Sequence, residues 1–336
     1  GNAASQGAHL AVDQINEKGG IAGKKIDYIE YDEKGDTEEA INAFNRLVNE
    51  DGIVALVGDV TTSPSIAVAQ RAAKEGIPMI TPTGTGAPIT LQGDNVFRIC
   101  FIDPDQGNMM ATYAADELGV KTAAVITNAA DDYSVGLSDA FVERAKEEGL
   151  EIVAQETYNS GDVDFKTQLT KISKANPDVL FAPDYYGVDI LLIQQAKQVG
   201  LDAPILGGDG YDGVLNVTAE NNPQEADGVM FTNHIVYSDP DEDIQDFYKA
   251  YVEKYDEDPI SFSALAYDAV RLLAQAIEEA DSLDKGAIVK AIKDIQFDGI
   301  PGTITFHENG DPNNEISLVT VDTAAYKLVD KLEIQR

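Results

Sequence analysis

Apolar positions along this 336-residue chain fall into short blocks whose spacing switches between helical and strand-like. In "GNAASQGAHLAVDQINEKGG" Leu10, Val12 and Ile15 mark a helix, "GGIAGKKI" ends it in a turn, and "KIDYIEYD" alternates around Ile26 and Tyr28 as a strand does. A helix from Thr37, strand "GIVALVGD", helix Pro64 to Glu75, and strands "IPMITPT" and "NVFRICF" come next. From Gln106 the plan resumes: helix "QGNMMATYAADELG", strand "TAAVITN", helix "SVGLSDAFVERAKEEG", strand "LEIVAQETY", helix "DFKTQLTKISKA" and strand "DVLFAPD". Strand and helix in alternation predict a doubly wound α/β sheet. The plan occurs twice, since "AQRAAKEGIPMITPTGTGAP" and "IQQAKQVGLDAPILGGDGYDG" share helix, capping glycine, proline, apolar strand and glycine-bearing loop. Beyond Asp239 come helices "DIQDFYKAYVEKY" and "SFSALAYDAVRLLAQAIEEA" and a late β segment, "GTITFHENGDPNNEISLVTV", which the first lobe alone does not need, so the chain is expected to cross between lobes several times.

The length suits two lobes, each able to bury its own core. A doubly wound lobe normally opens with a strand feeding its first helix, whereas Gly1 is followed at once by a helical pattern; the first strand is therefore expected to be missing. The net charge of -35, from 24 Lys plus Arg against 59 Asp plus Glu, would repel nucleic acid and anionic lipid. No apolar run approaches the roughly 20 residues of a bilayer span. Cys100 is the only cysteine, so an internal disulfide is excluded and a buried thiol expected. The first residues contain neither the basic nor the apolar region of an export signal, which would lie upstream or have been removed.

Catalytic parts are scarce. His9, His234 and His307 are far apart, and neither a zinc-ligand pair nor a G-x-S-x-G elbow occurs. Gly208, Gly210 and Gly213 spell the dinucleotide fingerprint G-x-G-x-x-G after a short strand, but Asp209 between them would face a pyrophosphate with like charge. "GGIAGKK" has the wrong spacing for a phosphate loop, and "HENGDPNNE" departs from the EF-hand pattern; both read as turns. "YSDPDEDIQDF" is an acidic helix start favoured by the helix dipole. A hydrolytic carboxylate pair stays open among so many acids, although surface solvation accounts for nearly all of them.

In doubly wound sheets ligands collect outside the carboxyl ends of the strands, where Gly58 to Ser63, Thr81 to Thr85, Asn128 to Tyr133, Asp184 to Tyr186 and Gly208 to Tyr211 fall. Hydroxyls and exposed backbone in "GDVTTSPS" and "TPTGTG" suit a carboxylate, and Asp209 suits an ammonium. A zwitterion fits both. Each threonine alone is equally well explained as a cap for the helix or turn beside it.

Taken in order, "LAVDQINEKGGIAGKKI", "LVGDVTTSPS", "GIPMITPTGTGAPIT", "DDYSVGL", "PDVLFAPDYYGVD" and "GGDGYD" resemble the leucine/isoleucine/valine-binding proteins of bacterial ABC importers over essentially the whole chain. The resemblance implies the type I periplasmic-binding fold: two doubly wound Rossmann-like lobes joined by a multi-strand hinge. The lobes would be 1–103 with 237–311, lacking its initial strand, and 104–236 with 312–336. Position by position, it implies that Thr62 binds the ligand carboxylate, that backbone groups at Thr83 and Gly84 touch the ligand, and that Thr85 completes the carboxylate site. Tyr133 and Tyr185 match tyrosines of the second lobe, Asp209 matches an acidic residue, often Glu, that takes the ammonium, and Phe262 lies near a side-chain pocket position, with helix packing its plain alternative. Tyr186 and Tyr211 border the same region. The chain departs from the family in the shorter Asp209, in lacking the first strand with its pocket aromatic, and in having Gly35 and Thr61 where some relatives carry a cysteine pair.

The implied function is extracytoplasmic binding of an α-amino acid, branched-chain or otherwise apolar, by hinge closure, for delivery to an importer permease. The protein would be a monomer in the periplasm or lipid-anchored at the cell surface, touching membrane only through permease or an upstream anchor. It would be no enzyme and need no cofactor, metal or nucleic acid. The alternatives are another small polar ligand on the same fold, such as an amide, urea or an aromatic acid, and a nucleotide-dependent enzyme supported only by the three glycines.

Overall fold

The computed structural model describes residues 1–219, 221–300, 302–313 and 315–334, so position 301 of the expected first lobe and positions 220, 314, 335 and 336 of the expected second lobe lie outside the described residues. Two compact units are present, Gly1–Phe101 with Asp239–Asn314 and Ile102–Ser238 with Glu315–Arg336. The chain passes from one to the other three times.

The first unit opens with α1 (Asn2–Glu17), α2 (Thr37–Arg46), β1 (Leu56–Val57), α3 (Thr62–Glu75), β2 (Met79–Thr81) and β3 (Val96–Arg98). Asp36 caps α2 by accepting hydrogen bonds from the Glu38 and Glu39 N–H groups, both at 2.9 Å. The three strands form a parallel sheet in the order β1-β2-β3, with Leu56 opposite Met79 and Met79 opposite Val96. Alternate residues serve opposite faces: Met79 and Val96 join Phe44 and Val68 on one side, while Ile80 and Phe97 join a second cluster with Leu265 and Leu272 on the other.

The expected strand over residues 25–32 does not form. Its alternation is real, but a strand needs a neighbour with which to exchange hydrogen bonds. Among the described residues, β1 pairs only with β2. Residues 28–33 instead run past a cavity of about 230 Å³ lined also by Ala4, Ala8, Phe44 and Leu56, and the Asn16 side chain anchors their approach by donating to the Ile26 carbonyl and accepting from its N–H.

The second unit begins with α4 (Asp103–Asp116), β4 (Thr122–Asn128), α5 (Asp132–Glu147), β5 (Glu151–Tyr158), α6 (Lys166–Ala175), β6 (Val179–Phe181), α7 (Tyr186–Gln198), β7 (Ile205–Gly207) and β8 (Met230–Asn233). After β8 the chain returns to the first unit for α8 (Glu242–Tyr255), α9 (Ser261–Ala280), α10 (Lys285–Asp294) and the hairpin β9 (Phe297–Gly299) and β10 (Gly302–Ile304). It ends in the second unit with β11 (Glu315–Val321) and β12 (Tyr326–Glu333). The late β segment read from the sequence is thus divided between the units. The second sheet has the order β12-β11-β8-β7-β6-β4-β5, parallel from β5 to β8 and antiparallel at β11 and β12. Both faces are buried, which explains the near-continuous apolar strands: Ala124 and Ile126 pack with Ile190 and Phe231, while Ala123 and Val125 pack with Met110 and Phe141.

Glycine is required where α1 meets α9, because a Cβ at Gly7 would collide with the Ser263 backbone. That close approach draws α9 over the first sheet, where its buried Asp268 is paired with Arg271 at 2.6 Å.

Two carboxyls of this unit bind protons more tightly than in an unfolded chain. Burial pushes Asp268 up to about 6 against the pull of Arg271, and burial together with the Glu33 charge pushes Asp59 up to about 7. Their stabilising contribution is complete below the ordinary carboxyl value and is lost as pH rises through about 6 and about 7. The urea midpoint is therefore expected to fall between about pH 4 and pH 7. Asp59→Asn should flatten the upper part of that fall, and an unchanged slope in this variant would refute the assignment to Asp59.

Candidate functional site

Each unit carries one set of the singled-out residues. In the first, Thr62 opens α3, and Thr83, Gly84 and Thr85 lie just after β2; all three threonines are buried. Pro64 sits in the first turn of α3, where its missing N–H removes no helical bond. The hydroxyls knit the loops to one another. Thr81 Oγ1 donates to the Asp59 carbonyl (2.8 Å) and accepts from Gly84 N–H (2.9 Å), and Thr83 Oγ1 donates to the Val60 carbonyl (2.6 Å). Thr62 Oγ1 accepts from Gly86 N–H at 3.2 Å, which leaves the hydroxyl proton of Thr62 able to donate. Gly84 lies directly on this framework: a Cβ there would come within 2.6 Å of Thr81 Oγ1 and 2.8 Å of Ser65 Oγ.

Beneath the loop lies Arg98, fully buried at the end of β3. Its guanidinium donates to the carbonyls of Gly84 (2.8 Å), Gly86 (2.9 Å) and Ala87 (3.3 Å), and its Nε pairs with Asp311 Oδ1 at 2.8 Å. Asp311 also accepts from Thr90 Oγ1 at 2.9 Å, so the carboxylate in the middle of "HENGDPNNE" is engaged with Arg98 and its neighbours. The loop after β2 is held from below by its carbonyls. Phe262 stands in a different element, buried in the first turn of α9.

In the second unit the three singled-out residues meet. Asp209 comes after β7 in a single 3-10 turn and is buried, with 1% of its surface exposed. Its Oδ1 accepts from Tyr133 Oη (2.9 Å) and Gln106 Nε2 (3.1 Å), and its Oδ2 lies 3.2 Å from His234 Nε2. In the tautomer that carries its proton on Nε2, His234 donates to this oxygen. Tyr133 Oη accepts in turn from Gly210 N–H at 2.8 Å. Burial, reinforced by the Asp209 charge, raises the Tyr133 hydroxyl well above the usual phenol range. The Tyr185 ring stacks on Tyr133 with centroids 4.7 Å apart, and its N–H donates to Asp184 Oδ1 at 2.7 Å. Asp184 is pinned further by Tyr158 (2.6 Å) and Asn128 (3.2 Å), and burial raises its carboxyl.

The three spaced glycines are packing positions. A Cβ at Gly208 would lie 2.8 Å from Tyr133 Oη, one at Gly210 would strike the Asp184 carbonyl, and Gly213 has a φ of 108° beside the Tyr186 ring. Gly208 leads into a short turn whose first residue is acidic, the reverse of an N-terminal phosphate cradle. Among the described residues, no group of three or more His, Cys, Asp or Glu is placed to share a metal ion, and no helix is long and apolar enough to cross a membrane.

Sequence reading missed Arg98, Gln106, Thr232 and His234. An arginine inside the apolar strand "NVFRICF" was a usable signal, since a buried charge requires partners. His234 looked isolated because its partner lies 25 residues away, and Gln106 because its partner is 103 away.

The family model described as "Periplasmic binding protein" matches residues 1–326. The chain is 33% identical over 314 residues to a Leu/Ile/Val-binding protein homolog of Brucella melitensis, covering 93% of this chain and 84% of the relative. A leucine binding protein from Thermotoga maritima superposes with a TM-score of 0.92 at 32% identity, over 99% of this chain and 94% of that one. The branched-chain amino acid transporter substrate binding protein of Streptococcus pneumoniae, solved with isoleucine, gives 0.91 at 33% identity, over 100% and 95%.

Arg98→Met would leave Asp311 buried without its counter-charge and several loop carbonyls without donors. A loss of about 3–5 kcal/mol in unfolding free energy is expected, as for other broken buried pairs. Removing the stranded charge as well, with Asp311→Leu, should recover part of it. A single variant within about 1 kcal/mol of the parent in urea denaturation would show that the pair does not hold the loop.

Proposed function

The chain belongs to the periplasmic binding protein family, and on that footing we propose that it is the extracytoplasmic solute-binding protein of an ABC importer. Its ligand is an apolar α-amino acid, with leucine, isoleucine and valine foremost. The observation that carries this reading is Asp209: a buried carboxylate held by Gln106, Tyr133 and His234 of its own unit, in a chain whose other candidate loops carry the hydroxyls of Thr62, Thr83 and Thr85. These two kinds of site are the complements of an ammonium and a carboxylate.

In this reading the Thr62 hydroxyl, the backbone at Thr83 and Gly84, and Thr85 take the ligand carboxylate, and Asp209 takes the ammonium. Tyr185, stacked on Tyr133, covers the ligand, and Phe262 lines the space for its side chain. The assigned polar groups are nearly all buried, so a ligand reaches them through a movement of the chain, and the three crossings between units are where a hinge would act. The liganded form is what a membrane permease recognises. No bond is made or broken, which agrees with a family of solute-binding proteins.

Binding both ends of a zwitterion out of water is favourable only if each lost hydration contact is replaced. Asp209→Ala is expected to weaken leucine binding by at least about 2 kcal/mol, roughly 30-fold in Kd, measured by titration calorimetry on ligand-stripped protein. Undiminished affinity would refute the role of Asp209. Failure of leucine, isoleucine and valine to raise the melting temperature of the parent protein would refute the ligand class.

A further inference from the structure

We propose that Gln106 is a positioning residue that sets the Asp209 carboxylate for the ligand ammonium; the inference rests on the role given to Asp209 above. Gln106 lies in the first turns of α4 and is fully buried. Both ends of its amide grip the same residue. Oε1 accepts from the Asp209 N–H at 2.9 Å, and Nε2 donates to Asp209 Oδ1 at 3.1 Å. Holding main chain and side chain together fixes the rotation of the carboxylate about its own backbone.

The amide has only one workable orientation. Thr232 Oγ1, on β8, donates to the same Oε1 at 2.6 Å, and the Asp209 N–H can only donate; an amide turned end for end would face that N–H with its own NH₂. Three pieces of the second unit, α4, β8 and the turn after β7, therefore converge on one oxygen. Tyr133 and His234 complete the clamp on the carboxylate.

Counting acceptor sites shows what the clamp achieves. A carboxylate has about four, two on each oxygen. Oδ1 is taken up by Gln106 and Tyr133, and Oδ2 has His234 Nε2 at 3.2 Å, so with that nitrogen as donor one site remains, on Oδ2. The ammonium of a ligand meets a single oxygen in a fixed direction. Without the Gln106 amide, Oδ1 regains a vacant site and the carboxylate can turn, so that ordering it is charged against binding. Only a ligand that uses Asp209 suffers this. A glutamine that merely ties α4 to the sheet would affect all ligands alike.

That difference is measurable with leucine and 4-methylpentanoate, which has the same carbon skeleton and carboxylate but lacks the ammonium group. Calorimetry on the parent protein first gives the preference for leucine over the analogue. Gln106→Met is expected to lose about tenfold in leucine affinity, the worth of one net hydrogen bond, with affinity for 4-methylpentanoate kept within about twofold. Thr232→Val, which removes the hydroxyl that orients the amide while leaving Gln106 in place, should show a smaller loss of the same kind and supplies the comparison should Gln106→Met fail to fold. Equal losses for both ligands, or no loss for leucine, overturn the positioning role while the proposed function stands. A parent protein that does not prefer leucine over the analogue overturns the ammonium role of Asp209 and this inference with it.

Discussion

A charge taken out of water loses hydration worth several kcal/mol, and the protein must return it through hydrogen bonds or an opposite charge. The candidate groups of each unit are shaped by this demand. In the second unit Asp209 is satisfied by a glutamine, a tyrosine and a histidine from separate elements, and the missing side chain of Gly208 leaves room for the tyrosine and the glutamine to approach. In the first unit the demand is met by Arg98, whose guanidinium collects the carbonyls of the loop after β2 and whose charge is answered by Asp311. The two solutions differ in purpose. Asp209 keeps one acceptor position unfilled, whereas Arg98 directs its donors inward and serves the loop that lies over it.

Local patterning reveals the elements because it depends on nearby residues. The helices and most strands fall where their periodicity places them, and the loops beyond the strand ends hold Thr62, Thr83, Thr85, Asp184 and Asp209. The same patterning misleads at residues 25–32, where alternation is necessary for a strand but pairing decides it. Hydrophobic periodicity also shows that Arg98, Gln106 and His234 are unusual or unremarkable in their segments without showing their partners. Thr232 and Gln106 are 126 positions apart, and the contact exists only because α4 packs beside β8.

The dinucleotide fingerprint after β7 shows how one spacing can serve different physics. In a phosphate loop the glycines let backbone N–H groups reach an anion. Here they accommodate Tyr133, the Asp184 carbonyl and the Tyr186 ring, and the space between them is given to an acid. The motif reports that backbone is approached closely, and the chemistry of the intervening residue decides what approaches.

The pairing of Arg98 with Asp311 also bears on how the chain is made. The first unit is discontinuous, and the whole of Ile102–Ser238 is synthesised between its two parts. During translation Arg98 emerges roughly 200 residues before its counter-ion, an interval of about 10 to 40 s at ordinary ribosomal rates. Through that interval the sheet formed by β1, β2 and β3 has neither α9 nor the acid that makes a buried arginine tolerable. The nascent first unit thus stays incomplete until its last segment arrives, while the second unit has its five parallel strands in hand well before then.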